Sequence, residues 1–263
     1  MIFDHLPNIQ GLIIDMDGVL WLDTQPIGDL SAIFKKIHQI GLRMILATNN
    51  ATRTVEDYQE KLRGFGVEIE KSQIINSAQA AGIHLQEKFP GGASVFVVGQ
   101  PSLKETLEDY GMCVVSAGFR GIDVVVASLD YQLTYDKLRQ ASLLIQSGSY
   151  FVGTNPDITL PTPDGLIPGS GTVIKALEIA SGKHAKIIGK PEPVLYEIAL
   201  RRLQCEPKQA LAIGDRLDTD IAGAQAAGIH TALVLSGVSS QEQLHNYRPK
   251  PDLIAQNLAE LII

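Results

Sequence analysis

Residues 11–66, GLIIDMDGVLWLDTQPIGDLSAIFKKIHQIGLRMILATNNATRTVEDYQEKLRGFG, carry the pattern from which the rest of the chain can be read. Short apolar runs at Gly11 to Met16 and Leu42 to Thr48 alternate with amphipathic stretches at Ile33 to Ile40 and Val55 to Phe65. That alternation predicts an α/β fold with a Rossmann-like parallel sheet. The second amphipathic stretch has legible ends. Thr54 with Asp57 three residues on resembles a capping box, and Val55, Tyr58, Leu62 and Phe65 fall on one face. Gly66 stands where a glycine stop belongs.

Comparable strand and helix pairs recur near the C-terminus. Between them lies a second set of apolar runs, SVFVVG, MCVVS, IDVVVASL and SYFVGTN, with helical patterns after Pro101, after Thr134 and near Ile174. We expect a smaller α/β domain over residues 78–185, inserted into a core built from 1–77 and 186–263. No Pro/Gly/Ser-rich linker marks either boundary. The insertion follows from where the chemically capable residues fall.

A chain of 263 residues that is 45% hydrophobic can bury a substantial core. A net charge of -7 and a pI near 5.4, with no basic stripe, disfavour binding of nucleic acid. No apolar run approaches the ~20 residues needed to cross a bilayer, and the first residues lack the charged and apolar regions of a leader. The expected address is the cytoplasm. Cys113 and Cys205 are far apart and the six histidines show no metal spacing, so neither a disulfide framework nor a zinc site is indicated.

Four segments could carry chemistry. In Leu12-Ile13-Ile14-Asp15-Met16-Asp17-Gly18-Val19, an apolar strand ends in two carboxylates two residues apart, on the same side of the chain. An Asx-type turn explains an isolated D-x-D-G equally well. Ile45 to Asn50 brings Thr48, Asn49 and Asn50 to a second strand end, where hydroxyl, amide and free N–H groups suit a phosphate or simply cap a helix. Ile187-Ile188-Gly189-Lys190-Pro191 sets a lysine at a third strand end, ahead of a helix beginning near Pro193, although a lone lysine is most often solvated. Leu211-Ala212-Ile213-Gly214-Asp215 is followed by Asp218 and Asp220, either of which could serve only the next helix's N-terminus. Their conjunction is more specific than any one of them. Open α/β sheets bind ligands at the carboxyl ends of their strands, and these groups together make an oxygen-rich magnesium site beside a phosphate pocket, nucleophile included.

The order Asp15-x-Asp17-Gly-Val, Thr48-Asn49, Lys190-Pro191 and Gly214-Asp215 with Asp220 resembles the four signature motifs of the haloacid dehalogenase superfamily. More narrowly, DMDGVLW, ATNNATRT, GTNPD, IIGKP and GDRLDTDI resemble the type IIA subfamily of NagD-like and p-nitrophenyl phosphatases, whose members carry a large α/β cap between the second and third motifs. The resemblance implies a magnesium-dependent phosphatase acting on a small phosphate monoester, as a monomer or homodimer. It implies that Asp15 attacks phosphorus and becomes an aspartyl-phosphate, and that Asp17 protonates the departing alkoxide and later activates water. Magnesium is implied at Asp15, the carbonyl of Asp17 and Asp215, with Asp220 and Asp218 orienting the site from behind. Lys190 would offset repulsion between nucleophile and phosphate, which Thr48 and the Asn49 backbone would hold.

Asn50 is a weaker substrate candidate, beside Arg53. The segment Gly153-Thr154-Asn155-Pro156-Asp157 matches the specificity loop of such caps by resemblance, with Asn155 the candidate contact, although turn chemistry accounts for it equally. Trp21 could wall the pocket or simply pack. Gly169-Ser170-Gly171 lacks the third glycine of a dinucleotide fingerprint. There are three rivals: a metal-independent dehalogenase, which would need neither Asp17 nor the later aspartates; a phospho-accepting module, which would need no cap; and a binding protein that has kept the fold and lost the chemistry, against which the intact set of Asp15, Asp17, Lys190 and Asp215 argues.

Overall fold

The computed structural model describes residues 2–116, 121–162 and 165–263. The chain divides into two compact units: Met1–Thr48, Val55–Ile75 and Lys190–Ile263 form the first, and Asn49–Thr54 with Asn76–Gly189 form the second. Among the described residues, no helix is long and apolar enough to cross a membrane.

Four strands of the first unit position its chemically capable residues: β1 (Gly11–Ile14), β2 (Arg43–Thr48), β3 (Ala210–Gly214) and β4 (His230–Val234). The sheet runs from Leu253–Ala255 through β4, β3, β1 and β2 to Ile74–Asn76. β1 is central and parallel to both neighbours, with Ile14 opposite Ile213 of β3 and Leu46 of β2. This register delivers Asp15, Gly214-Asp215 and Thr48 to the same carboxyl-end edge. All four residues of β1 and all five of β3 are buried, as a strand covered on both faces requires.

The helix Leu30–Gln39 buries Leu30, Ile33, Phe34 and Ile37, a spacing that places one stripe on the sheet. Asp29 caps it by accepting a hydrogen bond from the Ala32 amide at 3.0 Å, an interaction whose loss costs about 1 kcal/mol. The helix Val55–Gly64 buries Val55, Tyr58 and Leu62, and Gly66 follows with φ +74°. Trp21 belongs to this core: it is fully buried, 6.4 Å from the Tyr58 ring and 6.1 Å from Phe65.

The second unit has its own parallel sheet, ordered Lys186–Ile187, Tyr150–Gly153, Val124–Ala127, Ser94–Val98, Cys113–Val115. Helices Pro101–Asp109, Tyr135–Gln146 and Ser170–Ser181 accompany it. Two features depart from the sequence reading. Lys186 and Ile187 pair with Val152 and Gly153, so the apolar run ahead of Lys190 belongs to this sheet and not to the sheet that carries Asp15. The unit's limits also fall at Asn76 and Gly189, where 78 and 185 were expected, and it takes in 49–54. The cause is a set of hydrogen bonds remote in sequence: Ser77 Oγ and Asn155 Nδ2 both donate to the Asn49 carbonyl, at 2.5 and 2.7 Å, and Asn76 Nδ2 donates to the Arg53 carbonyl at 3.0 Å. A hairpin of Thr159–Thr162 against Gly165–Pro168 was not anticipated.

Candidate active site

Asp15, Asp215 and Asp220 each present a carboxylate oxygen within 4.8 Å of the others. Lys190 binds this cluster together. Its ammonium donates to Asp15 Oδ1, to Asp220 Oδ1 at 2.6 Å and to the Ala47 carbonyl at 3.0 Å. Three donors are all that a lysine has, and the residue is 3% exposed. The helix that follows it, Pro193–Leu203, begins with proline and buries Leu195, Tyr196, Ile198, Ala199 and Leu203. From that helix Tyr196 donates its hydroxyl to the Asp220 carbonyl at 2.7 Å.

Asp220 owes its inward position to a widened turn. Over Leu217–Ile221 the backbone is π-helical: the amides of Asp220 and Ile221 both donate to the Arg216 carbonyl at 3.1 Å. The carboxylate turns back so that Oδ2 accepts from the Arg216 amide at 3.0 Å. A side chain at Gly214 would put Cβ 2.2 Å from that of Asp220, so glycine is required there. Asp218, two residues earlier, points elsewhere; it is exposed and pairs with Arg216 at 2.9 Å. Between the two later aspartates, the cluster holds Asp220.

Asp215 is clamped by a segment that the sequence reading missed. Beyond β4, the Val238 amide donates to Asp215 Oδ2 at 2.6 Å and the Ser239 amide to its carbonyl at 3.1 Å. A Cβ on Gly237 would lie 2.0 Å from Oδ2, and one on Gly18 2.5 Å from it. Ser236 Oγ donates to the Gly18 carbonyl at 2.7 Å, tying this loop to the turn after Asp17. The signal was available: TALVLSGVS is an apolar strand ending in small hydrogen-bonding residues, as is ILATNN.

Three carboxylates and one ammonium leave the cluster at -3 + 1 = -2 if all are ionised. Burial pushes the Asp15 carboxyl well above its ordinary range; Lys190 opposes that, and Asp220 and Asp215 add to it. Burial and then the neighbouring Asp220 push Asp215 up to about 7. For Lys190, burial works against the charge, but Asp15 and Asp220 outweigh it and keep the amine protonated. A buried excess of two negative charges on hard oxygen donors fits a divalent cation such as magnesium.

The remaining candidates fall into two sets. Thr48 is buried at the end of β2. Asp17 is exposed, lies outside the carboxylate cluster, and accepts from Trp21 Nε1 at 2.8 Å. Asn49, Asn50 and Asn155 belong to the second unit. Asn49 Nδ2 donates to Asp157 at 3.2 Å, and Asn50 Oδ1 closes an Asx turn onto the Thr52 amide at 2.9 Å. Asn155, 3% exposed, donates to the Asn49 carbonyl and to Ser170 Oγ at 3.2 Å.

Comparison with known proteins is consistent along the whole chain. The model of the haloacid dehalogenase-like hydrolases matches residues 12–113, and a second, HAD-hydrolase-like model matches 187–261. An acid sugar phosphatase of Staphylococcus aureus is 33% identical over 98% of both chains. A p-nitrophenyl phosphatase from Archaeoglobus fulgidus superposes with TM-score 0.91 at 31% identity, covering 97% of this chain and 99% of that one. A glycerol phosphate phosphatase from Mycobacterium tuberculosis, solved with magnesium, gives TM-score 0.89 at 34% identity over 97% of this chain and 77% of that one.

Proposed function

Since the chain belongs to the haloacid dehalogenase-like hydrolases, as a phosphoric monoester hydrolase of the type IIA branch, we propose that it is a magnesium-dependent phosphatase of small phosphorylated metabolites, working through an aspartyl-phosphate on Asp15. Sugar phosphates, glycerol phosphate, phosphoglycolate, nucleotides and aryl phosphates are the substrate classes to test. The observation that carries this reading is the bonding of one buried ammonium, Lys190, to both Asp15 and Asp220, with Asp215 in the same cluster.

In the reaction we assign, an Asp15 oxygen attacks phosphorus in line as the bond to the leaving oxygen breaks. Lys190 fixes Asp15 through Oδ1, which orients the nucleophile and offsets part of the repulsion between two anions. Asp17 stands outside the buried cluster and gives the departing alkoxide its proton; it then takes a proton from the water that hydrolyses the acyl phosphate. Asp15, Asp215 and the carbonyl of Asp17 would hold magnesium, which supplies charge neutralisation for the incoming phosphate. Both Asp220 oxygens already accept protein hydrogen bonds, so we assign it to orienting Lys190 and the turn. Thr48 is the proposed phosphate contact of the first unit. We assign the second unit as the cap, with Asn49, Asn50 and Asn155 as its candidate substrate contacts.

The test is a panel of phosphorylated metabolites with magnesium, read as kcat/KM for each, alongside trapping of a phosphoryl group on an Asp15 peptide. Undiminished turnover in excess chelator, or no substrate in the panel above background, would remove the proposal.

A further inference from the structure

Trp21 occupies an unusual position for a core aromatic, because one edge of a fully buried ring reaches an exposed carboxylate. The chain turns tightly at Gly18, where φ is +86°, and comes back on itself: the Gly18 amide donates to the Trp21 carbonyl at 2.8 Å and the Leu20 amide to that of Met16 at 2.8 Å. This return sets Trp21 Nε1 2.8 Å from Asp17 Oδ1. The ring has little freedom to move. Tyr58 stacks on it at an interplanar angle of 15°, Phe65 packs at 6.1 Å, and the Lys61 ammonium lies 4.0 Å above its centroid. An exposed aspartate on a turn otherwise samples several rotamers, so a rigid donor on one of its oxygens removes that freedom.

We infer that Trp21 is a positioning residue for proton delivery: its indole N–H engages Oδ1 of Asp17, so that the proton given to the leaving group travels from Oδ2. This role presupposes the assignment of Asp17 as general acid made above. An indole N–H only donates, and the carbonyl-type oxygen of a carboxylic acid is its better acceptor, which leaves Oδ2 to carry the hydrogen. In the transfer, the Oδ2–H bond breaks and the O–H bond of the product alcohol forms. At the same time the P–O bond to the leaving group breaks, its electron pair staying on the alkoxide oxygen, and the Asp15 O–P bond forms. Placement within an ångström governs such transfers, and a loose donor can lose roughly a hundredfold in rate. The competing explanation is that Asp17 merely satisfies a buried indole N–H. The two differ in what they predict for leaving groups of unequal basicity.

The chain has a single tryptophan, so replacing tryptophan throughout by its benzothienyl analogue changes only position 21 and deletes the N–H while keeping the ring. Trp21→Phe is the genetically encoded counterpart, and the two together separate loss of the donor from loss of ring volume. Pre-steady-state phosphoenzyme formation is measured with glycerol phosphate and with p-nitrophenyl phosphate, in both proteins and in Asp17→Asn with and without the analogue. We expect the analogue to slow formation from the alkyl ester about tenfold and from the aryl ester less than about twofold, with KM for both little changed. In the Asp17→Asn background the analogue should add no further selectivity. Equal slowing of both esters, or no slowing, overturns the positioning role and leaves Trp21 as packing. If Asp17→Asn itself fails to discriminate the two esters, the general-acid assignment falls and takes this inference with it, an outcome distinguishable from selectivity in Asp17→Asn alone.

Discussion

The two units solve the same structural problem in opposite ways. Each is a parallel sheet whose strands end in buried polar side chains, but those of the second unit are matched within it: its buried carboxylate, Asp130, is paired with Lys137 at 2.8 Å, and the others are neutral groups bonded to one another. Thr154 Oγ1 donates to Ser128 Oγ at 2.8 Å, and the Leu129 amide and Asn155 Nδ2 both donate to Ser170 Oγ, at 3.1 and 3.2 Å. In the first unit, Asp15, Asp215 and Asp220 face a single ammonium. A polar strand end is therefore no sign of chemistry by itself. Uncompensated charge is, because a buried excess of negative groups is tolerated only where something of opposite sign is to be bound.

The sharpest way to break this contrast is to remove the nucleophile. Asp15→Asn preserves size and the acceptor for Lys190 while abolishing nucleophilicity, so turnover should fall by at least about a thousandfold with the thermal midpoint unchanged or raised. A midpoint rise would itself reflect relief of crowding among carboxylates. Retained activity would show that the charged cluster is structural.

Gly237→Ala should come next in size. The added Cβ has its nearest atom, Asp215 Oδ2, at 2.0 Å, and a Cβ on Gly18 would lie 2.5 Å from the same oxygen. The carboxylate must shift, and displacing a ligand's support typically weakens metal binding on the order of 10- to 100-fold. Isothermal titration of magnesium in wild type and variant measures this directly; equal affinities would mean that Asp215 is not a ligand.

Much of this site was legible in the sequence, and what was not has a physical reason. The runs LII and LAIG, each followed by an aspartate, are short, apolar and strand-like, and parallel register then fixes Asp15 beside Gly214-Asp215. Periodicity says nothing of a strand's partner, however. KII reads the same whether it joins one sheet or the other, so Lys190 was expected at the end of a core strand and comes instead from the turn between a strand of the second unit's sheet and the helix Pro193–Leu203. Asp218 and Asp220 are equivalent in spacing, and only the π-turn decides which of them faces Lys190. The attachment of 49–54 to the second unit depends on amides more than a hundred residues away in the case of Asn155, and no local pattern encodes it.

A third measurement exploits the charge itself. Burial raises both Asp15 and Asp215, the latter to about 7. A carboxyl whose folded value exceeds its unfolded one contributes stability that is present below about pH 4 and lost as pH rises through the folded value. In chelator, Asp215 should thus weaken the fold progressively as pH rises from about 4 through about 7, and Asp15 acts in the same direction. Magnesium competes with those protons. Its stabilising increment, about 2.7 kcal/mol at a hundred times its Kd, should be large at pH 8 and nearly vanish at pH 5. Calorimetry with and without magnesium at both pH values is the check, and equal increments would sink it.

The smallest effect tests the neutral side of the comparison. Thr154 is fully buried, its hydroxyl donating to Ser128 and accepting from Asn155 at 3.4 Å. Thr154→Val keeps the shape, removes both bonds and leaves Ser128 and Asn155 each with another contact, to Ser170 at 3.4 and 3.2 Å. The cost should be about 1–2 kcal/mol, a fall of only a few degrees in Tm for a chain of this size. Because no net charge is stranded, kcat/KM for p-nitrophenyl phosphate should stay within about twofold of wild type, the usual range when a substitution leaves reacting groups in place. A loss of activity far beyond the loss of stability would mean that this network reaches the chemistry, and the division between a charged catalytic edge and a neutral structural one would have to be abandoned.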